Sequence, residues 1–385
     1  MVSSAYEKKT EILYKMSKTE ENVKERKPLK KEEVPEYLKS QIITYMGNKR
    51  KVLPHIEELI LDIKKKLGKD KLKIGDGFSG SGIVSRLFKK HASKLYSNDL
   101  AGYSQTLNRC YLETPTKKTY TKICEYVDEA NRKADEKEVG EPWISKHWTG
   151  ERAYYTEKNG QRIDAMRQYI NTIPDEFRDY VLAPLLVECS IHTNTSGQFA
   201  SYYKGGYGGK TGTDIKRITK DIRIPYPIFD KTKSKTIVSR MDVKEWASSL
   251  PEDLDVIYYD PPYNKHPYNI YYFLLDIIND YDITMLVPET YRGQPSERVR
   301  SLYNSSTYAK KELNDLLLHT RAKFIIISYF DKGIISFDDF SHILDSHTQH
   351  WDKIPIFHNT FNRLRGLAKT KQLTEAKDFL FVLYL

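Results

Sequence analysis

Apolar residues recur at helical spacing through VLPHIEELILDIKKKLG, and the chain then passes into KLKIGDGFSGSG, which predicts a short strand running into a glycine loop. SGIVSRLFKKH predicts a helix and KLYSNDL a second strand ending on Asp99. A strand, helix and strand in that order make a βαβ unit, which requires a right-handed crossover and a parallel sheet. From about Leu107 to Lys235 the period is helical, with GERAYYTEKNGQRIDAMRQYINTI and EFRDYVLAPLLVECSIHT as the clearest segments. An irregular stretch rich in Gly, Tyr and basic residues follows, NTSGQFASYYKGGYGGKTGTDIKRITKDIRIPYP, and an insert of this length inside a compact domain is more often functional than idle. Strand patterns return in KTIVSRMD, LDVIYYDPPY, AKFIIISYF and DFLFVLYL, separated by helical stretches such as YAKKELNDLLLHTR. The expected fold is α/β: a mostly parallel, twisted, Rossmann-like sheet bracketing an inserted helical and irregular region. Ahead of it, the first 40 residues mix Lys and Glu closely and predict a charged helical or mobile extension to which no function is assigned.

Composition adds little to the fold but narrows the partners. The chain has 385 residues, 39% hydrophobic and 12% aromatic, and a formal net charge of +10, which favours a polyanion, although a plain basic surface accounts for the charge equally well. Cys110, Cys124 and Cys189 are odd in number and lack metal-ligand or redox spacing, so no disulfide and no zinc are expected, and a reducing compartment fits. No stretch reaches the roughly 18 apolar residues of a spanning helix. The expectation is a cytoplasmic protein without a membrane partner.

Two motifs carry chemistry. Gly75, Gly77 and Gly80 satisfy G-x-G-x-x-G after a strand, and Asp99 lies near where an acid would hold a ribose. That pattern reads literally as a dinucleotide site, yet Asp76 inside the loop would oppose a pyrophosphate, and Gly82 extends the backbone-only surface. A cationic adenosine compound suits the loop better, and S-adenosylmethionine is one; a tight strand-to-helix turn with an Asp cap is the structural alternative.

The second motif is VIYYDPPYN, an apolar run stopped by an acid and two prolines. Asp260 falls at the carboxyl end of a predicted parallel strand, where open α/β sheets bind ligands, unless it is only a strand stopper. The arrangement suits an aromatic amine, whose lone pair is delocalised until two acceptors hold both hydrogens out of the ring plane. Asp260 supplies one acceptor and the Pro261 carbonyl the other, Pro261 and Pro262 fix the backbone, and Tyr263 offers a π face for the base. No strong base or metal is required. A base in a duplex must be rotated out to reach such a pocket, which calls for a basic, aromatic surface. Lys204, Lys210, Lys216, Arg217, Lys220 and Arg223 lie among Tyr202, Tyr203 and Tyr207, and Arg363, Arg365, Lys369 and Lys371 precede the last strand. Either cluster also reads as a solvated face.

With TYMGNKRKVL, IGDGFSGSG and YYDPPYN in this order, the chain resembles, over nearly everything after Gln41, the D12 class of adenine-specific DNA methylases, the alpha group of amino-methyltransferases. The resemblance implies the class I fold of enzymes that use S-adenosyl-L-methionine. It implies that Tyr45, Met46, Gly47 and Lys49 close over that cofactor, with Asp76, Gly77, Phe78, Ser79, Gly80, Gly82, Asp99 and Asp242 beneath it. YNKHPYN, RAYYTEKNGQRIDAMR and NTSG look like members of type II restriction-modification systems, where His266 and Tyr268 would lie beside a flipped adenine. The insertion, with Lys204, Lys210 and Arg217, would read double-stranded DNA, and a restriction endonuclease would be a functional partner. The implied organisation is a 1–40 extension, a cofactor half at 41–110, a recognition insertion at 111–235 and a catalytic half at 236–385. In ISYFDKGIIS, Phe330 stands where relatives commonly carry Asn, and Lys332 where they carry an acid. Two rivals remain open: a nucleotide-dependent oxidoreductase using the glycine loop, and a DNA-binding protein without catalysis. RNA and cytosine N4 also stay open as substrates.

Overall fold

Leu72–Asp76 (β1) forms the middle of the sheet because both of its neighbours come from elsewhere in the chain: Ala92–Asn98 (β2) on one side and Leu254–Tyr259 (β4) on the other, both parallel to it. A computed structural model describes residues 35–137, 139–212, 214–265, 267–295, 301–360 and 374–385. Lys235–Ser239 (β3) extends the sheet beyond β2, and Ala322–Phe330 (β5) pairs in parallel with β4. Thr374–Tyr384 (β7) then inserts antiparallel between β5 and His350–Thr360 (β6), giving the order β3-β2-β1-β4-β5-β7-β6. This is the mostly parallel, seven-stranded sheet of a class I methyltransferase fold. Strand β6 was not among the expected strands. Its sequence, HWDKIPIFHNT, lacks alternation and contains Pro355, which an edge strand tolerates and a central one does not.

Every residue of β4 is buried, as expected for a parallel strand covered on both faces. Val256 and Tyr258 face one apolar cluster, with Ile74 and Ile326; Ile257 and Tyr259 face the other, with Ile325 and Trp246. The first cluster continues without a break through the helices Leu53–Leu67 (α1), Ile83–Lys89 (α2) and Gly102–Tyr111 (α3) into the inserted helices Lys117–Asp135 (α4), Glu157–Ile170 (α5) and Asp175–His192 (α6), and on into Phe273–Asp280 (α8). On the opposite face lie Val243–Ser249 (α7), Ala309–Leu318 (α9) and Phe337–His347 (α10). Among the described residues no helix is long and apolar enough to cross a membrane.

Helix α5 starts later than its apolar pattern suggests: Thr156 caps it by accepting from the Asn159 amide at 3.1 Å, and Glu151–Tyr155 lie outside it. Inside α5, buried Asp164 accepts from the backbone N–H groups of Trp143, Ile144 and Ser145, from the Ser145 hydroxyl and from the Tyr281 hydroxyl. One carboxylate thus caps the single helical turn Ile144–His147 and ties the insertion to the end of α8. Arginines do similar work. Arg162 donates to the Ile222 carbonyl at 2.7 Å, and Arg167 donates to the Ile278 carbonyl at 2.7 Å. Bonds of this kind from Arg162, Asn159 and Asn131 hold the Lys220–Ile224 part of the irregular stretch in place of a ladder. Asp164→Ala leaves several buried donors without a partner and is expected to cost about 3–5 kcal/mol of unfolding free energy, read from urea denaturation midpoints.

Candidate active site

Register places three acids at one edge of the sheet. Asp76, the last residue of β1, pairs with Ser97 of β2 and Tyr258 of β4, so Asp99 and Asp260, each two residues further on, stand just beyond it on either side. The sheet order reverses between β1 and β4, and at such a switch point the loops part to leave a crevice.

Asp76 is fully buried. Its Oδ2 accepts from the Ser85 hydroxyl of α2 at 2.6 Å, while Oδ1 has no hydrogen-bond partner. Burial pushes its carboxyl up to about 7; nearby Asp260 and Asp99 push the same way, and the Ser85 hydroxyl and Phe78 amide resist. Above it the glycine loop is bare because side chains would collide. A Cβ on Gly77 would come within 2.6 Å of the Tyr259 ring, and Gly80, at φ +49°, would meet the Tyr45 ring at 2.8 Å. The Ser79 amide donates to the Asn98 carbonyl at 2.9 Å, and left-handed Gly82 opens α2. Phe78 packs edge-on against Tyr303, with ring centres 5.4 Å apart.

Asp99 is fixed by backbone donors: Gly80 N–H to Oδ2 at 2.8 Å and Ala101 N–H to Oδ1 at 2.9 Å. Burial raises its pKa, and those amides hold the rise back. Asp242 lies at the same edge after β3, where it is exposed and caps α7 by accepting from the Lys244 amide at 2.9 Å.

Tyr45 to Lys49 form a loop that arches over this edge. The Tyr45 ring stacks on Tyr272 at 4.8 Å and lies 5.3 Å from Tyr268. The Met46 amide donates to the Tyr272 hydroxyl at 2.6 Å, the Tyr268 hydroxyl donates to the Met46 carbonyl at 3.3 Å, and Gly47 turns the chain at φ +72°. Asn48 then caps a short 3-10 turn by accepting from the Arg50 amide, and that turn sends Lys49 inward. Buried Lys49 forms an ion pair of 2.9 Å with Oδ1 of Asp260.

Pro261 and Pro262 follow Asp260, and Tyr263 closes the motif. Its carbonyl accepts from the Ile334 amide at 2.9 Å, and its ring lies 5.6 Å from that of Phe330. The departure at Phe330 therefore supplies an aromatic wall behind Tyr263; Lys332 is exposed.

The basic residues divide. Lys204 is exposed and lies over the Tyr291 ring, which stacks on Tyr202 beside a cavity of about 370 Å³. Lys210 is exposed on a glycine-flanked turn. Arg217 instead turns inward, donating to the carbonyls of Ile191, Thr193 and Thr195, so its charge serves the fold of the insertion. His266 and the Arg363, Arg365, Lys369 and Lys371 cluster lie outside the described residues, as does the extension up to residue 34.

Residues 45–328 match the family model of the D12 class N6 adenine-specific DNA methyltransferases. The chain belongs to this family. Among curated relatives of this D12 methyltransferase, the modification methylase StsI of Streptococcus sanguinis is 24% identical over 78% of the chain and 46% of its own length. Type II methyltransferase M.FokI of Planomicrobium okeanokoites is 28% identical over 79% of the chain and 47% of the relative. The chain thus spans about half of these two, whereas it covers 85% of type II methyltransferase M.NlaIII of Neisseria lactamica, at 26% identity over 76% of its own residues. A DNA substrate and a methyl donor follow for a D12 methyltransferase.

The sequence alone does not pick out Tyr272, and it gives Lys49 a place over the cofactor without its contact to Asp260. Tyr272 carries the Met46 amide, and its four-residue spacing from Tyr268 is the helical signal that puts both rings on one side. No local pattern indicates the contact of Lys49 with Asp260.

Because Asp76 holds its proton more tightly folded than unfolded, its contribution to stability is full below about pH 4 and is lost as the pH rises through 7. Asp76→Asn is expected to melt at a higher temperature than the unaltered protein at pH 8, with the gap narrowing toward pH 5. Thermal melts across that range check it.

Proposed function

We propose that the chain is a site-specific DNA adenine N6-methyltransferase that takes its methyl group from S-adenosyl-L-methionine and acts on an adenine rotated out of double-stranded DNA. In this reading it is the modification enzyme of a restriction-modification system, with an endonuclease as functional partner rather than bound subunit. The observation that carries the reading is the placement of Asp260 at the end of fully buried β4, on the strand next to the glycine loop, with the Tyr263 ring beside it.

The residues present suit the donor. The orphaned, buried Oδ1 of Asp76 is an acceptor without a donor, and a cation or ammonium nearby relieves the cost of its burial. Gly77, Gly80 and Gly82 offer backbone where a side chain would collide with its neighbours, with Ser79 between them and Phe78 alongside, under Tyr45, Met46 and Gly47. Asp99 and Asp242, at successive strand ends, would hold the ribose hydroxyls and the adenine of the donor. When bound, that molecule supplies a methyl group on a sulfonium, which a neutral amine can attack.

This chain's own residues prepare the amine. The Asp260 carboxylate and the Pro261 carbonyl accept one hydrogen each from the exocyclic nitrogen, freeing its lone pair from the ring, and Tyr263 holds the base by stacking. Tyr268 lies beside the same base, with His266 two residues before it. Residues 111–235 act as the recognition region, with Lys204 and Lys210 meeting the backbone; Arg217 supports them from within. An oxidoreductase built on the glycine loop would leave the DPPY motif idle, and a carboxylate in the loop opposes a pyrophosphate.

The test is incubation with labelled S-adenosylmethionine and mixed-sequence duplex DNA, followed by nucleoside analysis. N6-methyladenine is expected; absence of label in DNA overturns the reading. Asp260→Ala is expected to bind the donor while losing roughly a thousandfold or more in single-turnover transfer, measured on the site that modification-sensitive sequencing identifies.

A further inference from the structure

Lys49 arrives at the catalytic motif from the far end of the chain, on a turn shaped by Gly47 and capped by Asn48, and its ammonium ends 2.9 Å from Oδ1 of Asp260. That oxygen is sealed from solvent, and Lys49 itself is only 5% exposed. An ion pair this deep is costly to assemble unless it serves something beyond stability. Resting on the reading above, we propose that Lys49 is a positioning residue for methyl transfer: it holds the Asp260 carboxylate ionised and oriented through Oδ1, leaving Oδ2 as the acceptor for the adenine amine.

The chemistry requires an ionised acceptor. A protonated Asp260 presents an O–H to an amine that has two hydrogens to give, and the lone pair stays in the ring. The surroundings work against ionisation. Asp378 of β7 and Asp76 of β1 place two more carboxylates nearby, and Tyr258, Tyr263 and Tyr268 surround the group with rings; Ser328 of β5 adds one hydroxyl that favours the charged form. Among the described residues, Lys49 is the cation paired with this carboxylate. Burial raises the pKa of Asp260 and Asp378 raises it further, whereas Lys49 lowers it. In return, Asp260 and Asp378 outweigh the burial of Lys49 and keep its ammonium above the ordinary lysine value. The lysine also lies 5.6 Å from the centre of the Tyr263 ring, so the same cation touches both the acceptor and the stacking platform.

A lysine that only bound the donor would make a different mark. Its loss would raise the donor concentration needed and leave the pH dependence of transfer alone. A lysine that sustains Asp260 would leave donor binding nearly intact and shift the acidic limb of the rate profile. Asp378 gives a second handle, because removing its charge relieves Asp260 while leaving the Lys49–Asp260 ion pair in place, although it also removes one of the charges that favour the ammonium of Lys49.

The experiment is single-turnover methylation of a duplex carrying the target site, at saturating S-adenosylmethionine from pH 5 to 9, with donor affinity measured separately by calorimetry at pH 8. Lys49→Met is expected to move the acidic limb up by about one pH unit or more, with donor affinity changed less than about threefold. Lys49→Arg keeps the cation and should restore the limb. Asp378→Asn is expected to move the limb down in the unaltered background and to bring it partway back in Lys49→Met, which keeps the proposal open to refutation even if Lys49→Met folds poorly. An unmoved limb in either single variant, or a loss confined to donor affinity, overturns it. Failure of the unaltered protein to methylate adenine would instead remove the proposed function, and that result appears before any variant is made.

Discussion

Placing three carboxylates at the ends of three adjacent strands, one fully buried and two half-buried, is the constraint on which the rest of this structure depends. Parallel pairing makes it unavoidable: once β2, β1 and β4 are in register, Asp99, Asp76 and Asp260 must crowd one edge. Each is then relieved by a different device. Asp99 takes two backbone amides, Asp76 takes one hydroxyl and keeps an oxygen in reserve, and Asp260 takes a lysine from a loop near the start of the described chain. The loop from Tyr45 to Lys49 is therefore part of the electrostatics of the edge as well as its cover. A site organised around partly relieved negative charge favours cations and hydrogen-bond donors at this edge.

Much of this edge was legible in the sequence because strand ends advertise themselves. An apolar run that stops on an acid, followed by glycine or proline, fixes both the strand and the edge of the sheet at which that acid lies, and this holds for Asp76 and Asp260; Asp99 is marked only by following a strand pattern. What local pattern could not convey is contact between distant segments. Lys49 and Asp260 are brought together only by the loop closing, and the Asp164 carboxylate finds its partners in Trp143, Ile144, Ser145 and Tyr281 through tertiary packing. Strand β6 was missed because an edge strand with a proline carries neither alternation nor a continuous apolar run.

Charge counting was similarly ambiguous. A net charge of +10 invites a polyanion, but buried Arg86, Arg162 and Arg167, and half-buried Arg217, donate to backbone carbonyls at helix ends and in irregular segments. Arg86 is instructive. On the helix that follows the glycine loop, it grips the carbonyls of Tyr37, Ser40 and Gln41 and lies on the Tyr111 ring, so it anchors the chain just before it rises over the site. Such arginines are architectural, and the surface charge left for DNA is correspondingly smaller than composition implies.

The loop over the site joins the insertion to the segment beyond the DPPY motif. The Thr44 amide donates to Ser190 and Gln198 donates to the Met46 sulfur, both from the insertion; Tyr268 and Tyr272 come from beyond the DPPY motif; and Gly197 has no room for a Cβ because of Thr44. The insertion is consequently not an interchangeable cartridge. Grafting the corresponding segment of a relative into this scaffold would leave the Thr44–Gly197 and Met46–Gln198 seams mismatched, so a working hybrid must carry both sides of each seam.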